Sequence, residues 1–503
     1  MRENHVADIA ATAEHDATAT RRGATTTARG AAEGERDTAA AGRESEAAQR
    51  GALGRRAFLG RTAGVIAGGL ALAGAKGGLL PRLASAACKR VGYGPLAPVL
   101  DETTGLPLLR LPEGFTYRSF GWTGDPLADG TPTPGGHDGM AVVRATHAKL
   151  WLVRNHELRG EGRAFGDPAI TYDPRAQGGT TTLVFDPRAG RWLGAHASIS
   201  GTSTNCAGGP TWNESWLTCE ETLDEHDRTH GWVFEVPALG KARPEPLRAM
   251  GRFVHEAVAV DRQTGIVYLT EDRGSAGFYR FLPRDRNRLA KGGKLQMLAV
   301  RGEPNADFRG AVAPGSVFRV TWVDIEDPER AHAPGTTDGG GVFGQGAERG
   351  GAIFSRLEGA WYDARKQRVV FVSTSGGAIG EGQIWEYEPR RERLRLLYES
   401  SDEAVLDNPD NVTVSRDGGV LVCEDGDLTG QRLLGLTDDG EVFPFARNDV
   451  VLDGERNGIV GDFRDREWAG ATFSPDGRWL FANLQTPGIT FAITGPWKRG
   501  ALC

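Results

Sequence analysis

A short apolar run, a polar turn and a second apolar run recur along this chain, and that repeat limits the fold more than any other feature. Ala257–Val260 turns through Asp261–Gly265 into Ile266–Leu269, and Ala360–Tyr362 turns through Asp363–Gln367 into Val369–Val372. Val412–Val414 reaches Val420–Val422 through Arg416–Gly419, and Ala471–Phe473 reaches Trp479–Phe481 through Pro475–Gly477. Met140–Val143 with Leu150–Val153 is a fifth copy, and Cys206 through Trp216–Leu217 is a distorted sixth. The second strands begin near residues 150, 216, 266, 369, 420 and 479. A period near 50–60 residues with several strands per unit predicts an all-β chain folded as a β-propeller of six blades. One interval is far longer. Its Gly-rich, charged stretch, about 285–350, reads as an irregular insertion. The alternative, a β-sandwich with coincidental hairpins, leaves the repeat unexplained.

The chain ahead of the repeat has a different composition. Residues 1–54 hold 16 alanines and no aromatic residue, too little apolar surface to offset chain entropy, and read as a disordered low-complexity extension. Within residues 55–87, Arg55-Arg56 precedes the soft apolar stretch Gly64–Ala75, and Ala84-Ser85-Ala86 offers a small-residue cleavage pattern. Paired arginines before a weakly hydrophobic segment look like a twin-arginine signal. They imply the Tat export machinery as a partner and a periplasmic, cell-surface or extracellular destination. The bland alternative is a short buried helix with basic flanks. No run of about eighteen apolar residues exists, so no stable membrane span is expected in the mature form. Residues 88–503, the expected propeller domain, carry 57 acidic against 47 basic side chains. Such a balance repels a phosphate backbone and excludes nucleic acid as a partner, while it concentrates cations.

The acids recur in phase with the hairpins. Ahead of the first strands stand Asp138, Cys206, Glu256, Glu358, Asn411 and Glu467. At the ends of the second strands stand Glu157, Glu220-Glu221, Glu271-Asp272, Thr374, Glu424-Asp425 and Gln485. In a hairpin the start of one strand faces the end of its partner, so both sets fall at one end of every blade. Radial blades would bring them to one mouth of the central channel. That many carboxylates cannot stay ionised side by side without bound cations. Oxygen ligands suit calcium or another hard ion, and the thiolate of Cys206, in a polar Gly-rich stretch, suits iron or zinc. Any single carboxylate is more simply a solvated loop acid or a turn cap. It is the recurrence at one phase that points to a site. Arg356, two residues before Glu358, would share its side of an extended strand. It reads either as a bidentate clamp for an oxyanion or as a surface ion pair. Metals with such an arginine point to hydrolysis of a small-molecule phosphate ester, with Arg356 and Glu358 as candidate catalytic residues. His156 and His255 each precede a glutamate and read as supporting residues. Cys219 and Cys423 end apolar runs and read as buried strand thiols, while Cys88 and Cys503, if paired, would staple the mature termini.

These motifs together resemble the PhoX-type bacterial alkaline phosphatases. The stretches that carry the resemblance are Arg154–Glu157, Asn205–Gly209, Leu217–Glu221, His255-Glu256, Thr270–Arg273, Arg356–Gly359, Pro409–Asn411, Cys423–Gly426, Phe473–Gly477 and Asn483–Gly488. They span about Leu111 to Trp497. The resemblance implies a Tat-exported, monomeric propeller that hydrolyses phosphate monoesters with a mixed Fe(III)–Ca(2+) cluster. It implies Cys206 as an iron ligand, with Glu220 or Glu221, Glu256 and Glu358 as cluster ligands and Arg356 on the phosphate. Glu157, Glu271, Asn411 and Glu424 would be calcium or supporting positions, and Asn205 would meet the substrate. Another calcium-propeller hydrolase, such as a phosphodiesterase, phytase or lactonase, or a non-catalytic binding propeller, is the alternative. One departure stands out. Where the family reads Thr-Pro-Trp-Gly-Thr-Trp after the Cys206 glycines, this chain reads Thr211-Trp212-Asn213-Glu214-Ser215-Trp216. A loop beside the centre would change substrate preference or weaken activity.

Overall fold

In the computed structural model, which describes residues 91–332 and 340–502, the repeat becomes a β-propeller. The extension 1–54, the signal segment 55–87, Cys88 and Cys503 lie outside the described residues. Six first strands form the inner ring: His137–Ala145, Asn205–Pro210, His255–Val260, Leu357–Asp363, Pro409–Val414 and Trp468–Phe473. Each opens an antiparallel sheet. Each also packs on the next, and Trp468–Phe473 packs back on His137–Ala145, so the ring closes. Small residues let inner strands approach this closely. A Cβ at Gly139 would lie 2.5 Å from Ala207 Cα, and one at Gly359 would lie 2.7 Å from Asn411 Cα.

Closure also uses the start of the domain. Thr116–Phe120 is the outermost strand of the last blade, antiparallel to Ile489–Thr494 with Thr494 opposite Thr116. Leu109–Pro112 extends the fifth blade beyond Val442–Asn448, and Leu96–Val99 follows it. A strand from one chain end thus completes a sheet made by the other. The stretch 285–350 is more regular than its composition implies. Gly293–Val300 is the outer strand of the third blade, and Val317–Asp324 pairs both with it and with Arg393–Glu399 of the fourth. The two blades share one nine-stranded sheet.

Apolar alternation fills the spaces between blades. Val370, Val372 and Ile384 of the fourth blade pack on Val412, Val414, Val420 and Val422 of the fifth. Each buried valine of this kind contributes about 1.5–3 kcal/mol relative to an exposed one. No helix among the described residues is long and apolar enough to cross a membrane.

Every inner strand carries a bulge at the same place. Register shifts fall between His137 and Met140, Asn205 and Gly208, His255 and Val258, Leu357 and Ala360, Pro409 and Val412, and Ala469 and Thr472. A bulge inserts one residue and re-aims its side chain. The bulge positions are Asp138, Cys206, Glu256, Glu358, Asp410 and, in the sixth blade, Gly470.

Candidate metal centre

The bulges gather three ligand groups. Cys206, Glu221 and Glu256 form one, Asp138, Glu157 and Glu467 a second, and Glu256, Glu358 and Asp410 a third. Within each group the ligand atoms lie within 4.8 Å of one another. Glu256 belongs to two groups and joins them. In the sixth blade the bulge position has no side chain, and Glu467, at the entrance to that strand, joins Asp138 instead. A Cβ at Gly470 would lie 2.4 Å from the carbonyl oxygen of Asp138.

Burial dominates the electrostatics. It pushes the carboxyls of Asp138, Glu221, Glu256, Glu358 and Glu467 well above the usual carboxylate range, and neighbouring acids push them further. Burial, with Asp425 next, lifts Asp410 to about 8. The Cys206 thiol is likewise pushed up by burial and then by Asp138 and Glu256. Both carboxylate oxygens of Asp138 and both of Glu256 are buried and meet no hydrogen-bond donor among the described residues. A buried acid with no donor is costly unless it is protonated or holds a cation. This donor set therefore fits bound metal ions.

Two guanidiniums lie over these groups. Arg356 forks onto Asp272, with Nε to Oδ1 at 2.9 Å and Nη2 to Oδ2 at 3.1 Å, and Nη2 also donates to Glu358 Oε1 at 2.7 Å. Its φ of 43° is left-handed. Two backbone bonds hold it there, Arg356 N–H to Arg273 O and Thr374 N–H to Arg356 O. Arg159 Nη2 bridges Glu157 and Glu221.

Several residues expected in the centre stand apart from it. Glu220 is next to Glu221 in sequence but faces away. Its oxygens accept from His230 Nδ1 at 2.6 Å and from the backbone N–H groups of Ser203, Gly231 and Trp232. Consecutive strand residues point to opposite faces, so only one of the pair can reach the mouth. The same alternation places Asn205 behind Cys206. Its amide is taken up by Thr202 and Thr218, and the residue is fully buried and belongs to no ligand group. Glu271 accepts from Tyr279 Oη at 2.6 Å and Gly277 N, and burial lifts it to about 7. Glu424 is held by Arg432 and Asp407 N. Asn411 braces the centre instead of joining it, donating to Asp410 Oδ2 at 3.0 Å and accepting from Gly470 N at 3.1 Å. The ligand-group member in that blade is Asp410, one residue earlier, because the bulge shifts the count. His156 and His255 bond to Thr181 Oγ1 and Gly251 O and belong to no ligand group.

Asn155 and Arg159 were not anticipated. Asn155 Nδ2 donates to the carbonyls of Cys206 and Ala207, at 2.9 and 2.7 Å, and so fixes the bulge that carries the thiol. The profile of the family described as alkaline phosphatase PhoX matches residues 91–198 and 193–488, nearly the whole described region.

The chain belongs to the alkaline phosphatase PhoX family.

No curated protein matches it. Among solved structures it is similar to Pseudomonas fluorescens PhoX in complex with vanadate, a transition-state analogue. The identity is 16%, over 82% of this chain and 99% of that one, with a TM-score of 0.59. A gluconolactonase from Xanthomonas campestris aligns at 13% identity over 81% of this chain and 100% of its own, with a TM-score of 0.41. As a PhoX-family chain it is a phosphatase, of a family whose members depend on metal, and its acidic groups could hold such ions. Against that family the Thr211–Glu214 departure has a different meaning from the expected one. These residues form the turn between Asn205–Pro210 and Ser215–Glu220, at the end of the hairpin opposite Cys206. Four strand steps separate Cys206 from Pro210, about 13 Å at the usual rise. The turn makes its own ion pair, Glu214 with Arg144, and does not line the centre.

Proposed function

We propose that this chain is an exported phosphoric monoester hydrolase that works with iron(III) and calcium. The supporting observation is the convergence of three ligand groups, two members of which, Asp138 and Glu256, keep every carboxylate oxygen buried without a donor. Cys206, Glu221 and Glu256 would hold the iron, because a thiolate among carboxylates favours a softer ion than calcium does. The all-oxygen groups, Asp138 with Glu157 and Glu467, and Glu256 with Glu358 and Asp410, would hold calcium. Bound ions of this kind neutralise the clustered acids and polarise phosphoryl oxygens.

The chain's own residues do the rest. Arg356 grips the phosphoryl group and stabilises the charge that develops on its oxygens. Asp272 holds the guanidinium in plane from behind, and Glu358 is positioned by the same arginine. Asn155 keeps the Cys206 bulge in register. The paired arginines at 55–56 support Tat export of the chain, with metals loaded before transport. Elemental analysis of the purified exported protein, together with a p-nitrophenyl phosphate assay before and after chelation, tests the reading. Iron and calcium should be present, and chelation should abolish hydrolysis. Hydrolysis indifferent to chelation, or a metal-free active enzyme, would overturn it.

A further inference from the structure

Arg356 has a counterpart. Arg159 Nη2 meets Glu157 Oε1 and Glu221 Oε2, the latter at 3.0 Å, while Arg356 meets Asp272 and Glu358. Glu157, Glu221 and Glu358 each belong to a different ligand group. The two arginines therefore reach the mouth over different parts of it. Arg159 is the more open, with its side chain two-thirds exposed against 43% for Arg356. Its backbone is fixed, since Gln177 Nε2 donates to Arg159 O at 2.6 Å, while the guanidinium is held by the carboxylates of Glu157 and Glu221. Once cations take the charge of Glu157 and Glu221, those carboxylates no longer need a guanidinium. Arg159 then faces whatever anion occupies the mouth.

We propose that Arg159 is a second phosphate-gripping arginine, and that the Arg159–Arg356 pair selects dianionic phosphate monoesters over monoanionic diesters. The proposal rests on the phosphatase reading above. A monoester offers three non-bridging oxygens and two charges, enough to engage two guanidiniums from different sides. A diester offers two oxygens and one charge, and its second substituent occupies the direction from which the second guanidinium would approach.

The test compares p-nitrophenyl phosphate with bis(p-nitrophenyl) phosphate on the metal-loaded enzyme, as wild type, Arg159→Ala and Arg159→Lys. In Arg159→Ala the monoester kcat/KM should fall about 30-fold, mostly through KM, and the diester value by less than about threefold. Arg159→Lys should recover part of the monoester loss, because it restores the charge without the fork. Iron and calcium content should match wild type in both variants. An equal fall for both esters, or a loss of metal in step with activity, would make Arg159 a brace for Glu157 and Glu221 and overturn the proposal. A wild type that cleaves neither ester would instead sink the phosphatase reading itself, and this proposal with it.

Discussion

At the scale of single residues, neighbours in sequence have unlike environments. Glu220 and Glu221 are adjacent, yet one accepts four hydrogen bonds behind the centre and the other sits in a ligand group. His230 lies fully buried between Glu220, at 2.6 Å, and Asp173, at 3.5 Å. Its imidazole is held above its usual value because both carboxylates outweigh the desolvation that opposes them. This acid–histidine–acid brace fixes the backbone on which Glu221 is mounted. Removing the ring leaves two buried carboxylates facing each other. His230→Ala should therefore lower unfolding free energy by about 3 kcal/mol and reduce bound iron. A urea titration and metal analysis check both, and a midpoint within error of wild type would show that the brace carries no load. Asn411 shows the limit of counting residues. It is one position from the ligand-group acid, and only the bulge reveals that Asp410 is the equivalent of Glu256 and Glu358.

At the scale of elements, the bulge is the unit that builds the centre. An unbulged strand would send alternate side chains to alternate faces and give each blade one inward residue at fixed phase. The extra residue turns an acid toward the channel in five blades, counting Cys206 with the acids, and leaves glycine in the sixth. Gly470 has φ 58° and is packed against Asp138 O and Met140 N. A side chain there would meet the backbone of the first blade and displace Asp138. Gly470→Ala should cost about 2 kcal/mol of stability and weaken calcium binding, as read by calorimetric titration of the chelated protein. Unchanged affinity would mean that the sixth blade's spacing does not set the Asp138 group. The hairpins were legible because apolar alternation has a period set by covalent geometry. The pairing of Val317–Asp324 across two blades was not, since only contacts distant in sequence create it.

At the scale of the whole molecule, the centre crowds buried acids whose ionisation is unfavourable in the metal-free chain. Asp410 is lifted to about 8, and Asp138, Glu256 and Glu358 are lifted well above the usual range. The metal-free folded chain therefore binds protons that the unfolded chain, with carboxyls near 4, has already released. The contribution of each such group is full below about pH 4 and is lost, by up to about 1.4 kcal/mol per pH unit, as pH rises through its raised folded value, about 8 for Asp410. Thermal unfolding of the chelated protein between pH 5 and 9 should show this fall, and added iron and calcium should flatten it. A chelated midpoint that stays level or rises across that range would contradict the electrostatic account.

The amino-acid sequence by itself determined the strand repeat, its number of copies and the end of each hairpin at which acids accumulate, because side-chain alternation and turn chemistry are local. It also carried the motifs of the PhoX family. The tertiary structure alone decided which acids meet. Ring closure through Thr116–Phe120 brings the first blade against the last, and the bulges choose between adjacent residues such as Glu220 and Glu221 or Asp410 and Asn411. Arg159 became visible in the same way. An arginine in a loop has no pattern of its own, and only the meeting of Glu157 with Glu221 across two blades shows what it faces.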